Sequence, residues 1–291
     1  DITSIFSPFQ YEFFVRGLIV ATLVGGLCGL IGVYVVLRRM SYIGHGLSQA
    51  IIGGAVESYV MSINFFWGAS VWGVVSALLI NSLTRKRKIG ADAAIGIVTT
   101  SSFALGIALI SRFKGFTRSF DAALFGNILG VTQTDLIAIG VVSILTVATI
   151  FIGYKYLLFA TFEPEVAGFY GMPTGWVDSV FSLILAGVIV VSLQILGVTM
   201  IAAAIVIPPV AARLLTNDFG KMVISSMAIG SFCGLGGLYV SYYIDVSSGP
   251  SVVLFSAVIF FIALGYSSLK EKLGKGSTNR QRHSGRHGFD Q

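Results

Sequence analysis

Nine apolar runs, most close to the length needed to cross a lipid bilayer, leave this chain few folds outside a membrane. They cover residues 13–37, 42–61, 65–83, 93–111, 136–159, 177–193, 196–215, 222–243 and 252–269. A helix that spans the hydrocarbon core needs about 20 consecutive apolar residues. Outer-membrane barrels alternate apolar and polar residues in pieces of about ten, a pattern absent here. Charged residues make up 11% of the chain, against roughly 25% in a soluble protein. The fold expected is therefore all-α: a polytopic membrane helical bundle of about 8–9 transmembrane helices. The sixth and seventh runs are joined by almost nothing and read as two spans or one broken element.

The charges that remain orient the bundle. Cytoplasmic loops of helical membrane proteins are enriched in Lys and Arg. With Arg85-Lys86-Arg87-Lys88 inside, alternation puts 15 of the 19 basic residues on that side, leaving only Arg16, Arg112, Lys114 and Arg118 opposite. Nine spans place the N-terminus outside and the C-terminus in the cytoplasm of an inner (plasma) membrane protein. Residues 1–270 form the transmembrane domain, and 271–291 a basic cytoplasmic tail. From residue 274 that tail has no apolar periodicity and is expected to be disordered. The net charge of +6 follows from this topology, not from a nucleic-acid patch. No secretory signal stands apart from the first run, and a chain starting at Asp1 is expected to have lost an initiator or short leader. Cys28 and Cys233 lie in apolar runs and read as packing residues.

Glycine is abundant, at 35 residues. The pairs Gly25/Gly29, Gly126/Gly130 and Gly230/Gly234 fit the small-xxx-small spacing that lets membrane helices approach closely. Pro208-Pro209 should bend or break the seventh span, because proline removes backbone donors. Such breaks face protein or a water-filled path, not lipid.

His45 is the only histidine before the tail. An ionisable group in a span is costly, so it marks a functional site by default, and imidazole is a common ligand for divalent transition metals. Gln49 lies four residues on, one helical turn along the same face. Glu57, late in the same run, is the further candidate metal ligand. Asp121 and Asp135 flank the segment before the fifth run, and a cap beside Thr134 accounts for Asp135. The connection at 161–173 carries Pro164, suited to a helix first turn, Glu165, suited to its positive end, and Gly171, suited to its stop. A short amphipathic surface helix is expected there. No Walker A sequence, His-Glu-x-x-His, Gly-x-Ser-x-Gly or aspartate pair occurs, so no catalytic residues are assigned. Any nucleotide energy must come from another chain.

Residues 10–269 resemble the permease subunits of ATP-binding-cassette importers for manganese, zinc and iron. The segment 38–54 is similar to that family's Arg-Arg-Met-x-x-x-Gly-Asp-x-x-x-His motif. Asp92-Ala93-Ala94-Ile95-Gly96-Ile97 resembles the start of its next span. Ile205-Val206-Ile207-Pro208-Pro209 resembles its proline-containing span, and Tyr243-Ile244-Asp245 to Pro250 its late external turn. The segment 163–171 is similar to its coupling segment, which implies ATPase-coupling roles for Glu163, Glu165, Ala167 and Gly171. The resemblance further implies a cytoplasmic ATP-binding subunit that holds the ATP, an extracytoplasmic metal-binding protein, and a second permease chain. Where the family has aspartate and histidine this chain has His45 and Gln49. Two neutral groups replace a carboxylate and an imidazole, which should shift preference from manganese towards zinc or weaken the site. The rival reading is a stand-alone secondary transporter or channel for a cation.

Overall fold

The computed structural model describes residues 7–40, 42–60, 65–85, 91–112, 126 and 128–284. Among them eleven α-helices follow one another, with no strand. They are α1 (Glu12–Leu37), α2 (Ile43–Val60), α3 (Phe65–Arg85), α4 (Ala91–Arg112), α5 (Gln133–Ile152), α6 (Tyr154–Phe162), α7 (Pro164–Phe169), α8 (Thr174–Leu196), α9 (Val198–Leu215), α10 (Phe219–Ile244) and α11 (Ser248–Ser284).

Seven of these, α1, α3, α4, α5, α8, α10 and α11, contain stretches long and apolar enough to cross a membrane. Of the other four, α6 and α7 are short, α9 is an apolar helix of 18 residues, and α2 is diluted by His45, Ser48, Gln49 and Glu57. The expected fifth span is not continuous, because it divides at Gly153 into α5 and α6. Glycine is a poor helix former, and Tyr154-Lys155-Tyr156 suits a membrane interface. Residues 274–284, expected to be disordered, are helical: α11 continues beyond its apolar stretch to Ser284. Extending an existing helix avoids the cost of nucleating one, and Lys270-Glu271-Lys272-Leu273 are good helix formers. Residues 285–291 lie outside the described residues.

The core forms around α1, whose most apolar window is 72% buried. Its principal partner is α10, and the glycine pairs explain why. A methyl group on Gly25 would overlap the carbonyl of Gly230, and one on Gly230 the carbonyl of Gly25. Next to this crossing the Ser226 hydroxyl donates to Gly29 O at 2.7 Å and the Ser231 hydroxyl to Thr22 O at 3.1 Å. Lipid offers no hydrophobic drive for helices to associate, so close backbone approach and such polar bonds hold them together. The third pair does not act this way. Gly126 lies outside any helix with φ +75° and packs against the backbone joining α8 and α9.

That joint is a single residue. Gly197 has φ 73° and ψ 160°, a conformation essentially confined to glycine. Thr132 and Asp135 close the start of α5 as a capping box, with Thr132 as the cap rather than Thr134. The apolar windows of α5 and α11 are only 17% buried. Phe151, Ile144, Phe261 and Leu254 point outwards, as lipid-facing side chains must in a helical membrane protein.

Candidate functional site

The helix α2 is wedged against α3, α4 and α9. On its α4 side Gly46 leaves just enough room for the Ile95 and Thr99 side chains, and on its α9 side a methyl group on Gly44 would lie 3.4 Å from the Ile205 side chain. The single Ser48 hydroxyl proton is shared between His45 O at 2.8 Å and Val198 O at 3.2 Å, linking α2 to the head of α9. Of residues 43–56, every one is buried except His45 and Gln49. The two polar side chains, both half-buried, thus share the one partly exposed stripe of this stretch, a helical turn apart. Tyr42 flanks them, its ring centroid 5.6 Å from that of His45. Glu57 lies on the same helix, but its side chain is outside the described residues, as is Asp121.

Among the described residues no group of three or more His, Cys, Asp or Glu side chains could enclose a metal ion. The stripe itself carries one imidazole and one amide, those of His45 and Gln49.

In the connection between α6 and α8, α7 is short and starts without a side-chain cap at Glu163. Pro164 occupies its first turn. The chain leaves it through Gly171 N–H to Gly168 O at 3.1 Å and Met172 N–H to Ala167 O at 3.0 Å, with Gly171 at φ +69°. This is the helix stop expected of a glycine in the left-handed region. Ala167 is buried and fixes the helix to the bundle, while Glu163 is exposed. The Glu165 side chain is outside the described residues. Phe169 and Tyr170 are 94% and 82% exposed, so this short segment turns two aromatic rings outwards.

Between these two places lies a cluster that sequence reasoning missed. The Arg38 guanidinium donates from Nε to Thr161 Oγ1 at 3.1 Å and from Nη1 to Asp178 Oδ1 at 2.8 Å. Its carbon lies 4.5 Å from the centroid of the Phe181 ring. Burial draws the arginine pKa below its ordinary value while Asp178 opposes the shift, and an arginine starts high enough to stay charged. Close by, Phe219 packs against Tyr34, Tyr154 and Phe162, joining α1, α6 and the head of α10. The signal that could have found the cluster is Asp178, a lone carboxylate near the start of an apolar span.

The turn after Arg38 is unusual too. Arg39 adopts φ 56°, with Arg39 N–H on Val36 O at 3.1 Å and Met40 N–H on Val35 O at 3.0 Å. This is a Schellman ending with arginine where glycine usually sits. It reverses the chain directly into α2, whose first N–H, that of Ile43, reaches Met40 O at 2.8 Å.

Residues 10–267 match the model of the ABC 3 transport family. The chain belongs to that family. It is 37% identical over 254 residues to the manganese transport system membrane protein MntC of Listeria monocytogenes, covering 87% of this chain and 90% of that one. It is 36% identical over 269 residues to the manganese import system permease protein ScaB of Streptococcus gordonii, covering 91% and 96%. Among solved structures it resembles PsaBC from Streptococcus pneumoniae in complex with Fab, with a TM-score of 0.80 and 33% identity over 90% of this chain and 95% of that chain. Family members of this kind are permease subunits of ATP-binding-cassette transporters, and the helical bundle described above is that permease.

Proposed function

We propose that this chain is the permease of an ATP-binding-cassette importer that carries a divalent transition-metal ion, manganese or zinc and in some settings iron, into the cell. The observation that carries this reading is the partly exposed His45–Gln49 stripe on a helix otherwise buried along residues 43–56, in a chain whose relatives are named for manganese transport. Two copies facing each other across these stripes would bring two imidazoles and two amide oxygens to one ion, a shell that neither copy can offer alone. The second copy is therefore part of the proposal. So are a cytoplasmic ATP-binding subunit docked on α7 and an extracytoplasmic binding protein that delivers the ion.

In this scheme ATP binding draws the paired permeases together, and the pathway opens alternately to either side because each state is favoured by different contacts. The neutral site lacks the Coulombic attraction of a carboxylate. Its nitrogen donors favour zinc more than an all-oxygen site would.

The test is uptake into proteoliposomes that hold this chain with its ATPase subunit and binding protein. ATP-dependent accumulation of manganese or zinc is expected, and none without the ATPase. Equal metal flux with and without the ATPase would favour a stand-alone transporter or channel instead.

A further inference from the structure

We propose that Arg38 is the joint that passes movement of the ATPase-docking segment to the His45 helix, a positioning role that rests on the permease reading above. The argument begins with chain connectivity. Thr161, which accepts from Arg38 Nε, lies two residues before Glu163, the residue that precedes α7. Asp178 and Phe181, which grip the rest of the guanidinium, lie in the first turns of α8, the next helix after α7. The two supports flanking the docking segment thus close on one side chain. That side chain stands at the end of α1, and the reversal at Arg39 and Met40 follows it straight into α2. His45 is seven residues from Arg38 along the chain.

The chemistry of the grip suits a moving joint. The Arg38 side chain is only 9% exposed. A planar guanidinium presents five donors in a fixed fork, and here one nitrogen bonds Thr161 and another bonds Asp178. The third, Nη2, is buried with no hydrogen-bond partner. A buried unpaired donor is costly in this arrangement, so a displacement of the flanking segments that brought an acceptor to Nη2 would be favoured. Two such pairings of one buried side chain would make the kind of bistable element through which a small displacement at one site is passed to another. Lysine could keep the ion pair with Asp178, but as a point charge it lacks the fork that holds Thr161 at the same time.

The experiment uses the complete complex in proteoliposomes and reads manganese and zinc ions moved per ATP hydrolysed, alongside basal hydrolysis and assembly. Arg38→Lys and Thr161→Val are each expected to assemble and to keep basal hydrolysis. Ions moved per ATP should fall about tenfold in Arg38→Lys, within the usual range of coupling between sites. Thr161→Val should fall in the same direction, and the double variant should be no worse than Arg38→Lys, since both remove one link. Parent-like ratios in both variants, or losses that multiply in the double variant, would overturn the joint. Should Arg38→Lys fail to assemble, Thr161→Val decides: a parent-like ratio there overturns the proposal, and a reduced one with intact assembly supports it. A parent complex that moves no metal would overturn the proposed function, and the joint with it.

Discussion

The carbonyl oxygen of Ile205 sits where a side chain on Gly32 would have to be. In a regular helix that carbonyl would accept from the N–H of residue 209, but residue 209 is proline and has none. A freed carbonyl exposed to lipid costs several kcal/mol. Here it lies against the backbone of α1, where a Cα–H contact offers partial compensation, and the Pro209 ring comes within 3.0 Å of the same spot. The helix α9 runs unbroken through Pro208 and Pro209, so the break expected there does not occur; the N–H that Pro209 lacks and the glycine in α1 form one device.

Gly32→Ala should therefore force α1 and α9 apart and lower stability by about 1–3 kcal/mol, the usual cost of overpacking. Gly96→Ala is the control, because nothing lies within 4 Å of a methyl group placed there and alanine is the better helix former by up to about 1 kcal/mol. Thermal unfolding in detergent compares them. Equal midpoints for the two variants would dispose of the close-approach argument.

Gly197→Ala should cost about 1–3 kcal/mol, since its φ and ψ lie in a region essentially reserved for glycine. The variant should also separate α8 from α9 and so disturb the Ser48 bond to Val198. Hydrogen exchange of the first turn of α9 would report this, and an unchanged rate would count against a rigid one-residue joint.

At Arg39 the opposite sign is expected. Its backbone is left-handed, which costs a non-glycine residue roughly 1–2 kcal/mol. Arg39→Gly should keep or raise stability, and Arg39→Val should lower it, because a β-branched residue tolerates positive φ least. If both variants unfold at the parent temperature, the turn is not under strain.

His45→Ala should reduce uptake of every metal while assembly with the ATPase persists. Combining His45→Asp with Gln49→His should raise manganese uptake relative to zinc, since oxygen donors suit manganese and imidazole suits zinc. Competition uptake in proteoliposomes measures the ratio. Parent-like uptake of all metals by His45→Ala would place the ion path elsewhere.

The membrane orientation is open to direct labelling. Native Cys28 and Cys233 are both buried, so the background should be low. An impermeant thiol reagent applied to intact cells should reach a cysteine introduced at position 115 and miss those at 87 and 280. Reaction at 280 would reverse the C-terminal half.

The helices were largely legible because a bilayer demands long apolar runs, and all nine expected runs fall on helices. Local residue rules also carried over: Pro164 opens α7, Gly171 closes it, and Gly25 and Gly230 meet as their spacing implied. What could not be read was partnership across the fold. Arg38 looked like a topology charge, and nothing local reveals that Thr161, 123 residues away, and Asp178, 140 away, converge on it. The break at Gly153 was missed because Tyr154 to Phe159 continues an apolar pattern after the helix has been interrupted. The His45–Gln49 pairing on one face followed from helical spacing. That these two alone escape burial along 43–56 depended on α4 and α9, which periodicity does not place.

That enclosure has a consequence for how such a transporter can change over time. Any substitution at a buried position of α2 must be matched by changes in α3, α4 or α9, because close-packed neighbours feel even one added methylene. His45 and Gln49 are free of that requirement. Along residues 43–56 they are the two positions where donor chemistry can be exchanged in single steps while the fold is left standing. A lineage could retune its ion preference there without first passing through a poorly packed intermediate.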